Sequence, residues 1–501
     1  MGQTKKRKFP TAHTVLLIIA AFVALLTWLV PAGQYDRLTY SSDSDTFLRT
    51  TEESQTTLPA TQETLDELTV KIPIEKFREG AISKPISIPG TYKKLKGQPQ
   101  GLVNLIKAPL KGISESIEII LLVLIIGGLI SIVNATRAFE SGIAWLAHKL
   151  KGREFILIIM VTLLVALGGT TFGLEEETIA FYPILIPIFL AARYDALVCI
   201  ASIYIGSSIG TLASTVNPFS TIIASDAAGI NWTEGLTDRL IMLTLGLALC
   251  ILYITRYAQK VKKNPSHSLI YDQRDEIEQI YPTINTDAIT PLTLKLRLVL
   301  FIFASCFFVM VYGVSQLEWW FLEMTSVFLA AAFLIGVIAR LNEKQFVTEF
   351  MNGAKDLLSV AFIIGIARGI TVLMEDGQIS DTLLYYASQI TSTMPQGLFI
   401  NVAFLMYSGL TFFIPSSSGM AVLTMPIMAP LADSVGIGRE LMVSAYQYGV
   451  GLFKIINPTG IILASLALVN VGYDKWLKFA LPLVLLLAIL AMVMLTIGVY
   501  F

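Results

Sequence analysis

Charge is scarce in this chain. Asp, Glu, Lys and Arg make up 15% of its 501 residues, against roughly 25% in an ordinary soluble domain. Cysteine is scarcer still. Cys199, Cys250 and Cys306 lie far apart in apolar runs, which excludes a disulfide framework and a thiolate metal centre. Three histidines, none adjacent to another, argue against a zinc hydrolase. A surplus of either sign is missing too. Lys and Arg number 36, Asp and Glu 37, so the chain has no electrostatic footprint for nucleic acid. What is abundant is apolar surface. Hydrophobic residues reach 54% and mean hydropathy is +0.68, more than a water-soluble core can hide. The balance describes a polytopic membrane protein.

The apolar runs predict an all-α fold with nine full spans, at about 14–31, 117–136, 195–228, 237–257, 296–316, 320–340, 359–376, 439–472 and 477–500. Two of them, 195–228 and 439–472, are too long for one straight helix, and each contains Asn-Pro. The stretches 155–192 and 397–433 each read as two helices joined at a polar tip. The first span follows Lys5, Lys6, Arg7 and Lys8 and has no small-residue cleavage site after it, so it reads as an uncleaved helix. Lys and Arg in short loops mark the cytoplasmic side. They occur at Lys149, Lys151 and Arg153, at Arg256 to Lys263, at Arg340 and Lys344, and at Lys475 and Lys478, and are missing from 229–236 and 377–396. The expected protein sits in the inner or plasma membrane, with its N-terminus cytoplasmic and Phe501 outside.

The expected division follows. Residues 1–32 hold the cytoplasmic N-terminus and first membrane helix. Residues 33–100 are a polar extracytoplasmic insert, either a small β-rich cap or a mobile loop, with no evident chemistry. Residues 101–257 form one repeat, 258–294 a charged cytoplasmic connector, 295–342 two linking helices, and 343–501 a second repeat. The repeats are visible directly. GGTTFGLEEETIAFYPILIP (168–187) matches YSGLTFFIPSSSGMAVLTMPIMAP (407–430), and Asn217-Pro218 matches Asn457-Pro458. The units start on opposite sides of the membrane, so they are inverted-topology repeats. That is the layout of secondary transporters whose sites lie at the repeat interface.

Four stretches carry a family resemblance: FPTAHTVLLIIAAFVALLTWLVPAGQYDR, FGLEEETIAF, PSSSGMAVLTMPIMAPLAD and YQYGVGLFKIINPTG. They resemble the YfcC family, which belongs with the DcuC-type carriers of the ion-transporter superfamily. The resemblance implies a homodimer with two re-entrant hairpins and two broken helices in a domain that moves as an elevator. Members of that family include arginine/ornithine antiporters, and relatives carry four-carbon dicarboxylates. Where some relatives have Asp and His in the second broken helix, this chain has Val450 and Lys454, so no sodium role is carried over to that site.

The candidate binding residues cluster at the tips and breaks. Thr171, Gly173, Glu175, Glu176, Glu177 and Thr178 form the first tip. Three carboxylates at membrane depth are costly unless a cation or proton meets them, and Glu176 is the first choice to face a substrate. The alternative is a turn in water with acids at a helix N-terminus. Ser416, Ser417, Ser418 and Gly419 form the second tip, suited to an anion at a half-helix N-terminus, or else a plain capped turn. Asn217, Asn457 and Thr459 surround the breaks, where proline frees carbonyls. Ser214, Thr215 and Asn217 are the tentative ion ligands, unless the prolines are kinks alone. Lys454 pairs with a tip glutamate, holds a substrate carboxylate, or replaces a sodium ion. Arg368 is read as a scaffold cation, bonded to an acid such as Glu375. Trp319 and Trp320 are read as an interfacial belt.

An acidic tip facing a serine tip and a lysine suits an amino acid, and the surplus of carboxylates suits a basic one. The expected function is therefore antiport of basic amino acids such as arginine and ornithine. The rival is carriage of C4-dicarboxylates or other organic anions, with the glutamates serving sodium or protons. No cofactor is expected beyond such a coupling ion. The expected partners are a small-molecule substrate, the bilayer and a second copy of the chain, with no nucleic acid. A channel and a membrane enzyme are the remaining classes, the latter lacking a nucleophile–base pair or metal cluster.

Overall fold

The computed structural model describes residues 10–500 apart from 83, 150–151, 282–291, 318 and 392–393. Lys5, Lys6, Arg7 and Lys8, Lys151, part of the 258–294 connector and Phe501 lie outside the described residues. Among the described residues, nine helices are long and apolar enough to cross a membrane. The number equals the expected one, but the membership differs. Phe155–Phe172 and Gln396–Phe413 qualify, whereas the runs 195–228 and 439–472 are both divided. Ala196–Leu212 stops before Asn217-Pro218 and is followed by a π-turn and the short helix Ile223–Ala228. Arg439–Lys454 stops before Asn457-Pro458 and is followed by Ile462–Ala467. Proline has no N–H to donate and its ring clashes with the preceding turn, so neither helix runs through.

The fold is all-α only in the membrane spans, and of the two alternatives for residues 33–100 the β-rich cap is the one found. The insert is a β cap. Strand Arg37–Ser41 pairs antiparallel with Thr46–Thr50 on one side and Ile86–Ser87 on the other, and Gln55–Pro59 completes a four-stranded sheet. Two short helices, Gln62–Glu67 and Ile74–Arg78, cover it. Leu38, Phe47, Leu65, Phe77 and Ile86 are buried and make its core. Strands this short carry one or two inward residues each, too few for a clear alternation.

Ion pairs fasten the cap to the helices. Arg37 lies 2.7 Å from Asp381, and Lys76 lies 2.8 Å from Asp226, which is buried. Tyr92 stacks on Tyr385 with centroids 4.1 Å apart.

The helix packing is reciprocal between the halves. Leu102–Glu115 of the first half lies on Leu358–Asp376 of the second, and Glu343–Asp356 of the second lies on Ile117–Ala135 of the first. Within each half, Phe155–Phe172 packs on Ala196–Leu212, and Gln396–Phe413 on Arg439–Lys454. Small residues permit the exchanged crossings, as in other membrane helix pairs. A Cβ on Gly112 would overlap the Gly365 carbonyl oxygen, and one on Gly353 would overlap the Gly127 carbonyl oxygen.

Gly353→Val should therefore cost about 1–3 kcal/mol through overpacking, read as a lower unfolding midpoint of the purified protein in detergent. Gly409 lies in the helix Gln396–Phe413 and its Cβ would meet nothing within 4 Å. Gly409→Ala should be neutral or stabilise by up to about 1 kcal/mol. An unchanged midpoint for Gly353→Val contradicts the close crossing.

Candidate functional site

A cavity of about 420 Å³ lies between the two tips and the second broken helix. The first tip reaches it because Phe155–Phe172 ends in a left-handed cap at Gly173, with φ +78°. Beyond it Glu176–Phe181 is a 3-10 helix, whose three residues per turn send consecutive side chains in three directions. Glu175 precedes that helix as its N-cap in a non-helical conformation, and the three glutamates do different things. Glu175 points at Lys454, with its Oε2 2.5 Å from Nζ. Glu177 folds back and accepts the Glu175 backbone N–H at 3.2 Å. Glu176 lines the cavity and has no ion pair among the described residues.

At the second tip the three serines also divide the work. Ser416 caps the helix Ser417–Ser434 by accepting the Gly419 N–H at 3.1 Å. Ser417 Oγ accepts from Lys454 Nζ at 3.0 Å. Ser418 Oγ accepts from Lys84 Nζ at 2.7 Å, a lysine of the β cap. Lys454 is the last residue of its helix, where the dipole favours a cation, and its side chain is 8% exposed. One buried ammonium thus holds both tips.

The two Asn-Pro breaks are built alike. Asn217 donates through Nδ2 to the Gly169 carbonyl at 3.1 Å and accepts the Phe219 N–H at 2.8 Å. Asn457 donates to the Thr411 carbonyl at 3.0 Å and accepts the Thr459 N–H at 3.1 Å. Each asparagine ties its break to the first helix of the preceding hairpin.

Of the residues singled out from sequence, Gly173, all three glutamates, Ser416 to Ser418, Lys454, Asn457 and Thr459 line the cavity. Thr171, Thr178, Ser214, Thr215, Asn217 and Gly419 are not on its wall. Thr171 and Thr178 donate to carbonyls of their own turns. Ser214 bonds Thr221, and Thr215 bonds Thr170.

Arg368 bonds Glu115 at 2.8 Å and lies 3.8 Å from Glu375. It also lines the cavity, as do Glu115, Glu118, Trp319 and Trp320. Sequence reasoning missed those two glutamates, although both flank the junction of the amphipathic stretch and the next span. Aromatic pairs at span ends usually form an interfacial belt, but Trp319 and Trp320 line the cavity. The cavity wall carries five carboxylates, from Glu115, Glu118 and the tip glutamates, against the three cations Lys84, Arg368 and Lys454. Carboxylates are in excess by two.

Spanning helices around a polar, charged cavity define a membrane transporter. Residues 9–500 match the family model described as the C4-dicarboxylate anaerobic carrier, DcuC, and the chain belongs to that family. It is a carrier for a small molecule in a lipid bilayer and not an enzyme. A Haemophilus influenzae protein with no assigned activity is 42% identical over 504 residues, covering 100% of this chain and 99% of its own. YfcC of Escherichia coli, provisionally named a basic amino acid antiporter, is 28% identical over 510 residues, covering 98% and 96%. Two solved transporters align at 14% identity. Alcanivorax borkumensis YdaH, with coverage of 97% and 98%, has a TM-score of 0.39. Neisseria gonorrhoeae MtrF, described as illuminating a class of antimetabolite efflux pumps and covering 99% and 96%, has 0.40.

Lys454→Met strips Glu175 of its partner, and Glu175→Gln strips Lys454. Each should destabilise by about 3 kcal/mol, the low end for a buried pair, because the Glu175 side chain stays 21% exposed. The double variant should recover much of that loss. Unfolding midpoints of the four proteins close the cycle, and additive losses mean that the two side chains do not interact.

Proposed function

We propose that this transporter is a secondary active antiporter of amino acids, preferring basic ones such as arginine and ornithine. The observation that carries the reading is the division of charge in the cavity. Glu176 is an unpaired carboxylate on the first tip, and the second tip is held by lysines. A substrate with an amino or guanidino group at one end and a carboxylate at the other complements both, and the excess of two carboxylates favours a net cation. The name given to YfcC is consistent with this. A second reading, transport of dicarboxylates with the glutamates serving sodium or protons, is supported by the family description and by the three cations.

In this proposal the halves are inverted repeats, supported by the reciprocal helix crossings and the matched asparagine bonds. The match between the two polar tips, GGTTFGLEEETIAFYPILIP and YSGLTFFIPSSSGMAVLTMPIMAP, and their meeting at one cavity support re-entrant hairpins. Hairpins and broken helices would travel together as an elevator in a homodimer. The distribution of Lys and Arg supports a cytoplasmic N-terminus and an outward C-terminus in the inner membrane.

The melting temperature of the purified protein should rise with arginine or ornithine and stay unchanged with succinate. The opposite order overturns the basic amino acid and favours the dicarboxylate. In proteoliposomes, changing Glu175, Glu176 and Glu177 together to Gln should abolish uptake.

Lys454 supplies a tethered positive charge where a bound ion would otherwise sit. Exchange should therefore persist when choline replaces sodium, and Lys454→Ala should abolish transport or make it sodium-dependent. Strict sodium dependence of the parent protein, with Lys454→Ala unimpaired, contradicts this role.

A further inference from the structure

We infer that Lys84, carried by the extramembrane β cap, contacts the substrate directly: with Lys454 it holds a substrate carboxylate against the second tip. The residue lies between the helix Ile74–Arg78 and the strand Ile86–Ser87. That strand packs on the helix Ser417–Ser434, and this contact brings Lys84 to the tip. Two lysines from separate parts of the fold thus end on adjacent serines, Lys454 on Ser417 and Lys84 on Ser418.

Their situations differ. Lys454 has a carboxylate partner in Glu175, whereas Lys84 has no ion-pair partner among the described residues. Its only hydrogen bond there is to a hydroxyl, which leaves two of three ammonium donors free. Of the charges on the cavity wall, the one that acts on Lys84 is Arg368, of its own sign. The surrounding protein and the Arg368 guanidinium both hold its pKa below the ordinary lysine value. An anionic group in the cavity would relieve that repulsion and exchange a neutral acceptor for a charge-assisted one, which is about twice as strong. The cap is placed to do this reproducibly, since Arg37–Asp381 and Lys76–Asp226 fix it at two points.

The inference rests on the transporter reading only for the existence of a carboxylate substrate, and it holds for an amino acid or a dicarboxylate. The test uses the full chain and three probes: arginine, agmatine (arginine without its carboxylate) and succinate. Affinities come from thermal shifts of the parent protein, Lys84→Gln and Lys84→Arg. Lys84→Gln should melt like the parent without ligand and lose about tenfold or more in affinity for whichever carboxylate probe the parent binds, as for other hydrogen bonds to charged groups. Agmatine should be unaffected, and Lys84→Arg should keep most of the affinity. If succinate and not arginine stabilises the parent, the basic amino acid reading fails while Lys84 is judged on succinate. Equal behaviour of parent and Lys84→Gln toward all three probes overturns the assignment, and so does an equal loss of agmatine binding.

Discussion

One buried ammonium organises the centre of this protein. Lys454 sits where a charge costs several kcal/mol unless it is matched, and its match is split between a carboxylate on one tip and a hydroxyl on the other. The first tip moving alone would leave both charges of the pair unmatched in a low-dielectric site, and the second moving alone would cost the ammonium its hydroxyl acceptor. The two tips are therefore coupled through a side chain that belongs to neither. Its helix ends there because the chain cannot continue through Asn457-Pro458 as an α-helix, and the ended helix presents its negative pole to the lysine.

The rest of the fold keeps that point in place. Asn217 and Asn457 each bond a carbonyl of the hairpin beside it and an N–H beyond the proline, so each break is tied to its hairpin. Glycine crossings bring Leu102–Glu115 close to Leu358–Asp376. That approach carries Glu115 and Arg368 to the same wall of the cavity. The β cap adds a cation from outside the membrane spans. Chain segments separated by hundreds of residues supply its charges, and none of them could form the site alone.

Much of the site was legible because membrane chemistry makes polar residues conspicuous. Glu175 to Glu177, Ser416 to Ser418 and Lys454 stand out against apolar surroundings, and the matching Asn-Pro pairs locate both breaks. The division of labour among like residues was not legible. Nothing in Glu-Glu-Glu distinguishes the one that pairs with Lys454 from the one that folds back, since the local turn is 3-10 and not α. Nor does the sequence show that the Ser214 and Thr215 hydroxyls each bond a threonine. Glu115 and Lys84 escaped notice because they sit in segments whose composition reads as ordinary surface, and Glu118 because it opens a membrane span, where an acid reads as favoured by the helix dipole.

Composition, apolar run length and internal sequence matches determined the membrane class, seven of the nine described spanning helices and the paired tips and breaks, because the hydrocarbon core admits only apolar helices with satisfied backbones. Those constraints act along the chain, within a window of about 20 residues, so they can be read from it. Tertiary structure alone decided that Lys454 joins both tips, that Trp319 and Trp320 line the cavity, and that a cap outside the spans reaches Ser418. Those contacts depend on helix crossings and on strand-to-helix packing between distant segments. A charge meets its partner there through the fold, and no local pattern encodes the meeting.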